Sequence, residues 1–198
     1  MRISGGAAKG RKVGVKKAFT QKGEGDELRP TSAKVRQAIF NILGERIIDA
    51  AFLDLYAGTG AVGIEALSRG AGKAVFVDDN SLRVNIIKEL IEKFAFKDRA
   101  VIIKDRASNF INNFLTPNSK LQTPDSFDII FVDPPYASGE IDVILPLIDE
   151  KAVLRDNGVV IAEHSSKKPL AHEMGSLKLM KIYKYGDTSL TLYRKELV

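Results

Sequence analysis

Cysteine is absent from this chain of 198 residues, and it holds only two histidines, His164 and His172. The first absence excludes a disulfide framework, a thiolate metal site and a thiol nucleophile. The second leaves a zinc site short of ligands, and no metal is expected. No apolar run approaches the ~20 residues that a membrane span needs. The N-terminus carries charge but lacks the apolar core of a secretory signal, so the cytoplasm is the expected location. The length suits one domain with a sizeable core and a small extension. No internal repeat is visible.

Positive charge is present and unevenly placed. Residues 1–36 hold ten Lys and Arg against three acids, an excess of seven in a chain of net charge +5, so the remainder carries −2. A basic segment on a near-neutral body suggests a polyanion partner; on charge alone a solvated basic tail serves as well. Candidate contacts are Arg2, Lys9, Arg11, Arg29 and Arg36, with Gly5, Gly6 and Gly10 letting backbone approach a nucleic acid closely. Residues 1–28 read as a β-hairpin or arm, and 29–198 as the main domain.

Arg29-Pro30-Thr31 marks the boundary. Thr31 or Ser32 can cap a helix whose apolar face is Val35, Ala38, Ile39, Ile42 and Leu43, and Gly44 can end it. From Ala50 onward strands and helices alternate. Strands are expected near 51–55, 73–77, 100–104, 128–132 and 158–163, and helices near 60–69, 81–96, 107–115 and 139–149. The alternation implies an α/β fold with a parallel, doubly wound sheet. Leu177–Tyr183 and Leu190–Tyr193, around Tyr185-Gly186-Asp187-Thr188, read as a terminal antiparallel hairpin. Thr116–Ser126 is a polar loop.

Phe52–Leu55 is followed by Tyr56-Ala57-Gly58-Thr59-Gly60-Ala61-Val62-Gly63 and then a helix. Strand, glycine loop and helix put backbone N–H groups against a nucleotide-like ligand. A second strand ends at Asp78-Asp79-Asn80, where an acid can bind two ribose hydroxyls. NAD and S-adenosylmethionine would both use that acid. Asp54 favours S-adenosylmethionine, since it suits the cofactor's ammonium group and would repel a pyrophosphate. The chain also shows no candidate proton relay for hydride transfer.

Asp133-Pro134-Pro135-Tyr136 follows the apolar run 127–132, at the carboxyl end of a strand, where open α/β sheets place their chemistry. The prolines stiffen the turn and remove two backbone donors. A carboxylate, free carbonyls and an aromatic face are thereby fixed together, which suits a planar base with an exocyclic amine. An ordinary Pro-Pro turn with a surface Tyr is the plainer reading.

With these motifs the chain resembles the class I S-adenosylmethionine-dependent methyltransferases. It is more narrowly similar to the bacterial RsmD-type family, which methylates the N2 amine of one guanine in 16S ribosomal RNA. The resemblance rests on Arg2-Ile3-Ser4-Gly5-Gly6 through Lys9-Gly10-Arg11, on Arg29-Pro30-Thr31 through Val35-Arg36 to Phe40-Asn41, on the glycine loop of 54–70, and on Tyr185 to Leu190. It implies a Rossmann-like fold with a mostly parallel seven-stranded sheet, helices on both faces and a C-terminal antiparallel hairpin. The partner it implies is 16S ribosomal RNA or the small ribosomal subunit, and a monomer is expected. Asp133, Pro134 and Tyr136 would be catalytic. Asp54, Tyr56, Gly58, Gly60, Asp78, Asp79, Asn80, Asp105, Arg106 and Ala107 would hold S-adenosylmethionine. Two positions depart from the family pattern. Asp78 and Asn80 stand where Glu and Asp are usual, and Asp105-Arg106-Ala107 replaces Asp-Ala at the adenine edge, which leaves the adenine contact open, with a backbone N–H near Arg106 or Ala107 as one candidate.

Three other readings stay open on sequence. A DNA adenine or cytosine amino-methyltransferase shares the site but generally adds a target-recognition domain. A protein-glutamine methyltransferase usually has Asn before the two prolines. A non-catalytic RNA-binding assembly factor could keep a vestigial pocket. Elsewhere, His164 is expected at the surface near the cofactor mouth, Lys167-Lys168 in a solvated turn, and Phe94 and Phe96 in the core.

Overall fold

The computed structural model describes residues 2–12, 31–114, 123–136 and 138–196. Five parallel strands form first: β1 (Ala51–Leu55), β2 (Lys73–Asp78), β3 (Ala100–Lys104), β4 (Phe127–Val132) and β5 (Leu154–Ser165). Three more follow, β6 (Glu173–Met174), β7 (Leu177–Tyr185) and β8 (Thr188–Lys195). They join one eight-stranded sheet in the order β3-β2-β1-β4-β5-β8-β7-β6. The expected sheet of seven gains a strand because two residues, Glu173 and Met174, pair antiparallel with Lys178 and Leu177. β8 lies antiparallel between β5 and β7, so the terminal hairpin extends the parallel sheet.

The helices are α1 (Ala33–Leu43), α2 (Ala61–Ser68), α3 (Ser81–Lys93), α4 (Ala107–Asn112) and α5 (Ile141–Glu150). None of them is long and apolar enough to cross a membrane. Alternation along the buried strands separates two cores. Phe52, Phe76, Ile129, Phe131 and Ile161 pack under α1, α2 and α3, while Leu53, Val75, Ile130, Val132 and Val160 pack under α4 and α5. Both faces are covered, as a parallel sheet requires. Phe94 and Phe96 are buried in the first core.

The order places the chain reversal at β1 and β4, neighbours that lead to opposite halves of the sheet. Ligands bind at such a switch point, outside the carboxyl ends of the strands. Ser32 caps α1, its hydroxyl accepting the Val35 N–H at 3.2 Å. Thr31 is thereby left for another contact.

Residues 2–12 do not stand away from the body. Arg2 bridges Lys12, the Ile3 N–H donates to the Arg11 carbonyl, and Ile3 and Ala8 are buried. The Ala7 N–H donates to the Ser68 carbonyl and the Ala8 N–H to Ser68 Oγ, so the segment sits on the last turn of α2. Residues 13–30, which hold the rest of the expected arm and Arg29, lie outside the described residues.

This docking corrects two expectations. Arg36 does not face a nucleic acid. It is 1% exposed, its Nε donates to Glu65 Oε2 at 3.1 Å and its Nη2 to the Arg2 carbonyl at 2.8 Å. Gly5 and Gly6 give close approach to the body and not to RNA. A Cβ on Gly6 would lie 1.7 Å from the Ser68 carbonyl oxygen, and one on Gly5 2.5 Å from the Arg69 guanidinium.

Candidate active site

The carboxyl-terminal ends of β1, β2 and β5 and the loop after β4 place four carboxylates on one edge of the sheet: Asp54, Asp78, Glu163 and Asp133. Asp54 is the penultimate residue of β1 at 1% exposure, and its Oδ2 accepts the Gly63 N–H at 2.9 Å. That contact needs a glycine, since a Cβ on Gly63 would lie 2.3 Å from the Phe76 ring and 3.0 Å from Asp54 Oδ2. Burial pushes the Asp54 carboxyl up to about 8; the Gly63 N–H opposes this and the Asp78 charge adds to it.

Asp78 ends β2. Its Oδ2 accepts the Gly58 N–H at 2.8 Å and its Oδ1 the Asn80 N–H at 2.9 Å, so it ties the glycine loop to the second strand. Each carboxylate oxygen keeps a second acceptor direction for a diol. Burial raises its pKa, against the Asn80 and Gly58 N–H groups and the Arg83 charge. Asp79 is exposed beside it. The Asn80 side-chain oxygen is taken up in capping α3, accepting the Leu82 N–H at 2.9 Å and the Arg83 N–H at 3.3 Å.

The third expected cluster joins the same edge, with the Asp105 N–H donating to the Asp78 carbonyl at 3.2 Å. The Arg106 N–H is not left for an adenine, because it donates to Asp105 Oδ1 at 2.8 Å. Ala107 is buried at the start of α4. Tyr56 has a left-handed backbone, φ 62°, and Gly58 has φ 56°. Burial and a hydrogen bond to Glu140, together with the charges of Glu140 and Asp79, push the Tyr56 hydroxyl above its ordinary value.

Asp133 follows β4. Burial first, then the charges of Glu163 and Asp54, hold its carboxyl well above the usual range. Thr31 Oγ1 donates to Asp133 Oδ2 at 3.4 Å and pulls the other way. Pro134 is buried; Pro135 and Tyr136 are exposed. The Tyr136 hydroxyl pairs with Thr188 Oγ1 at 3.0 Å and donates to Glu163 Oε1 at 3.4 Å. Burial, opposed by the Thr188 contact, pushes the Tyr136 hydroxyl up to about 12.

Three contributors were not singled out from sequence. Thr31 carries a helix-capping signal, but Ser32 does the capping. Thr188 belongs to the terminal hairpin turn. Glu163 is a lone acid closing the apolar run Val159–Ala162. It is 6% exposed, and burial, opposed by the Tyr136 hydroxyl, pushes it up to about 7. His164, expected at the surface, is only 5% exposed and faces away from these acids. Its Nε2 lies 2.8 Å from Thr191 Oγ1 and its Nδ1 3.0 Å from the Ser165 and Lys168 carbonyls. Burial lowers its pKa, which suits a neutral structural imidazole. Lys167 is exposed, and Lys168 is half-buried and pairs with Asp142.

Four carboxyls with raised pKa values on one edge make a site that a cation relieves. S-adenosylmethionine fits it, since its sulfonium and ammonium groups are cationic and its ribose offers two hydroxyls to Asp78. The chemistry of this donor set suits the cofactor better than it suits a pyrophosphate, which Asp54 would repel.

A family model described as conserved hypothetical protein 95 matches residues 1–194. Ribosomal RNA small subunit methyltransferase D of Escherichia coli (strain K12) is 31% identical over 99% of this chain and 90% of its own. The YlbH protein of Bacillus subtilis (strain 168) is 33% identical over 98% of this chain and 99% of its own. Among solved structures, the yhhF protein of Escherichia coli superposes with a TM-score of 0.82 at 28% identity, covering 99% of this chain and 98% of that one. An RNA methyltransferase from Salinibacter ruber, solved with S-adenosyl-L-homocysteine, shares the fold at a TM-score of 0.59 and 13% identity, over 85% of this chain and 95% of that one. The match runs almost end to end and takes in the glycine loop and Asp-Pro-Pro-Tyr together: this chain belongs to the conserved hypothetical protein 95 family, the RsmD family of class I methyltransferases.

Proposed function

We propose that this protein transfers a methyl group from S-adenosylmethionine to the exocyclic N2 amine of a guanine in 16S ribosomal RNA. The observation that carries the reading is Asp133, a half-buried carboxylate held between Asp54 and Glu163 at the switch point and followed by two prolines and an exposed tyrosine. Asp54 and Asp78, with the Gly58–Gly60 loop, would hold the cofactor's ammonium and ribose. S-adenosylmethionine, when bound, supplies an electrophilic methyl group on a sulfonium.

The remaining work belongs to the chain. Guanine N2 is a weak nucleophile because its lone pair is delocalised into the ring. The Asp133 carboxylate and the Pro134 carbonyl accept hydrogen bonds from the two N–H groups of that amine. This favours pyramidal nitrogen and directs its lone pair at the methyl group. The amine becomes acidic as it is alkylated and gives up one proton to the Asp133 carboxylate that its N–H already meets, so no stronger base is needed. Thr31 orients Asp133. Tyr136 presents its ring to a base taken out of its helix, and Thr188 and Glu163 fix the ring's hydroxyl. The four raised carboxyls favour a cationic ligand, and RNA supplies no cation.

RNA is held by charge beyond the reacting base. Arg2, Lys9 and Arg11 are exposed on the docked segment. Nearer the site, a groove of about 350 Å³ between α1 and β7 is lined by Lys34, Gln37, Asn41, Tyr183 and Tyr185 among others, with no carboxylate. The protein acts as a monomer in the cytoplasm on this reading.

The test is methylation of small-subunit RNA by the purified protein, with nucleoside mass spectrometry. N2-methylguanosine at one position is expected, and it should be missing from cells lacking the protein. Methylation of duplex DNA in its place, or S-adenosylmethionine binding with no transfer to RNA, would sink the reading.

A further inference from the structure

Glu163 holds the Tyr136 hydroxyl through one carboxylate oxygen, and the methyl-transfer chemistry leaves the other without a task. Its Oε2 is buried and has no hydrogen-bond partner among the described residues. Its Oε1 accepts from the Tyr136 hydroxyl, which is braced by Thr188, so the carboxyl group is held from one side and unpartnered on the other. An unpartnered buried carboxylate oxygen is costly, and such groups in native sites await a donor.

The sheet register says where that donor sits. Val132 of β4 pairs with Ala162 of β5, so the residues that follow them, Asp133 and Glu163, stand side by side at the carboxyl edge. Adjacent strands lie ~4.8 Å apart, close enough for two side chains to converge on neighbouring groups of one ring. Next to its N2 amine, guanine carries the N1–H donor. Adenine and cytosine present a ring-nitrogen acceptor at the corresponding place, which a carboxylate repels.

We propose that Glu163 reads the base: its carboxylate accepts the N1–H of the guanine whose N2 amine is held by Asp133. The inference rests on the guanine-N2 reading above and deepens it. Asp133 serves the reacting amine, and Glu163 makes the pocket accept guanine and refuse bases that place a lone pair against it. Tyr136 then has two tasks, presenting its ring and holding Glu163 in place.

The test uses an RNA substrate whose mapped target is guanine or 2-aminopurine. The analogue keeps the 2-amino group but has a lone pair in place of N1–H. It also pairs more weakly, so extrusion from a helix favours it and any loss of rate is attributable to the pocket. At about pH 9, where Glu163 is ionised, the wild-type protein should use 2-aminopurine at least tenfold less well in kcat/KM, the fold-change of a lost hydrogen bond to a charged group. Glu163→Gln can offer an amide N–H to that lone pair and should narrow the ratio to about threefold, in a protein whose fold is checked by circular dichroism. Equal use of both bases by the wild-type protein overturns the proposal, and this arm needs no variant to fold. An unchanged ratio in a folded Glu163→Gln protein overturns it too. If the wild-type product is N2-methylguanosine, only the role of Glu163 falls; if the product is another nucleoside, the guanine-N2 reading falls with it.

Discussion

Burial holds the Asp54 carboxyl at about 8, far above the ~3.9 of the same group in an unfolded chain. An acid whose folded pKa is raised contributes its full stability below the unfolded value and loses it as pH rises through the folded one. The window is therefore roughly pH 4 to 8. Asp54→Asn removes the titration while an amide oxygen can still accept the Gly63 N–H. The variant and the wild type should have similar stability near pH 4, and the variant should be more stable by on the order of 1–3 kcal/mol at pH 8. It should also lose most of its S-adenosylmethionine affinity. Urea titrations across that range check the first claim, and parallel curves would remove Asp54 from the account. Asp133→Ala separates chemistry from binding. Cofactor affinity should stay close to wild type, while single-turnover methylation drops by about 10²–10³-fold, the loss typical of one preorganised transition-state contact. A near-normal rate would mean that the amine is held elsewhere. At this scale the sequence shows which residues can carry charge but not which way they face. His164 attracts attention as an imidazole, yet strand alternation turns it to the opposite face, toward Thr191. Glu163, one residue earlier, faces Asp133. The alternation is readable, but the face that holds the cofactor is not, because that depends on which helices cover which side.

Among the elements, the sheet and its helices follow from patterns that are local in the chain. Apolar runs of five or six residues mark the buried parallel strands, and four of them stand where the pattern puts them, while β5 begins four residues before its expected start and runs to Ser165. What local pattern misses depends on pairing. The two residues of β6 become a strand only because β7 passes beside them. The N-terminal segment is the larger case. Its glycine and lysine content reads as a basic β-hairpin or arm, but Glu65 supplies an anchor that no local signal announces. Glu65 lies 61 residues from Ser4 and 29 from Arg36, and both bond to it inside the protein, with Arg69. Burial alone would raise the Glu65 pKa, but the Ser4, Arg69 and Arg36 contacts outweigh it and leave the carboxyl below its ordinary value. This group holds α1, α2 and residues 2–12 together. Removing one partner of a buried ion pair costs about 3–5 kcal/mol, since the other charge is left uncompensated. Arg36→Leu should lose about that much in chemical denaturation, somewhat less if Arg69 compensates. A loss under ~1 kcal/mol would show that Arg69 and Ser4 suffice for Glu65.

Over the whole molecule the question is how a near-neutral body holds a long polyanion. A single base offers too little surface, so phosphate contacts must supply much of the affinity. The docking of residues 2–12 changes how this can be tested. Removing the first twenty residues would strip Ile3 from the core and Ser4 from Glu65, so loss of RNA binding in such a truncation would not distinguish charge from folding. Charge reversal at exposed positions avoids the problem. Lys9 and Arg11 lie beside the last turn of α2, which runs away from the carboxyl edge, while Lys34 lines the groove whose helix begins next to Thr31 and Asp133. Each phosphate contact adds ~0.7–0.9 to the slope of log affinity against log salt, from single strand to duplex. Lys9→Glu with Arg11→Glu should lower that slope by roughly two if both residues meet phosphate, and Lys34→Glu by roughly one. S-adenosylmethionine affinity should stay within about twofold, ~0.4 kcal/mol, in all of them. Filter binding of small-subunit RNA from 50 to 300 mM salt reads the slopes. A slope that falls for Lys34→Glu alone would place the RNA along the α1–β7 groove and free the N-terminal segment for a purely structural role. Unchanged slopes in every variant would mean that the phosphate contacts come from other cations of the chain.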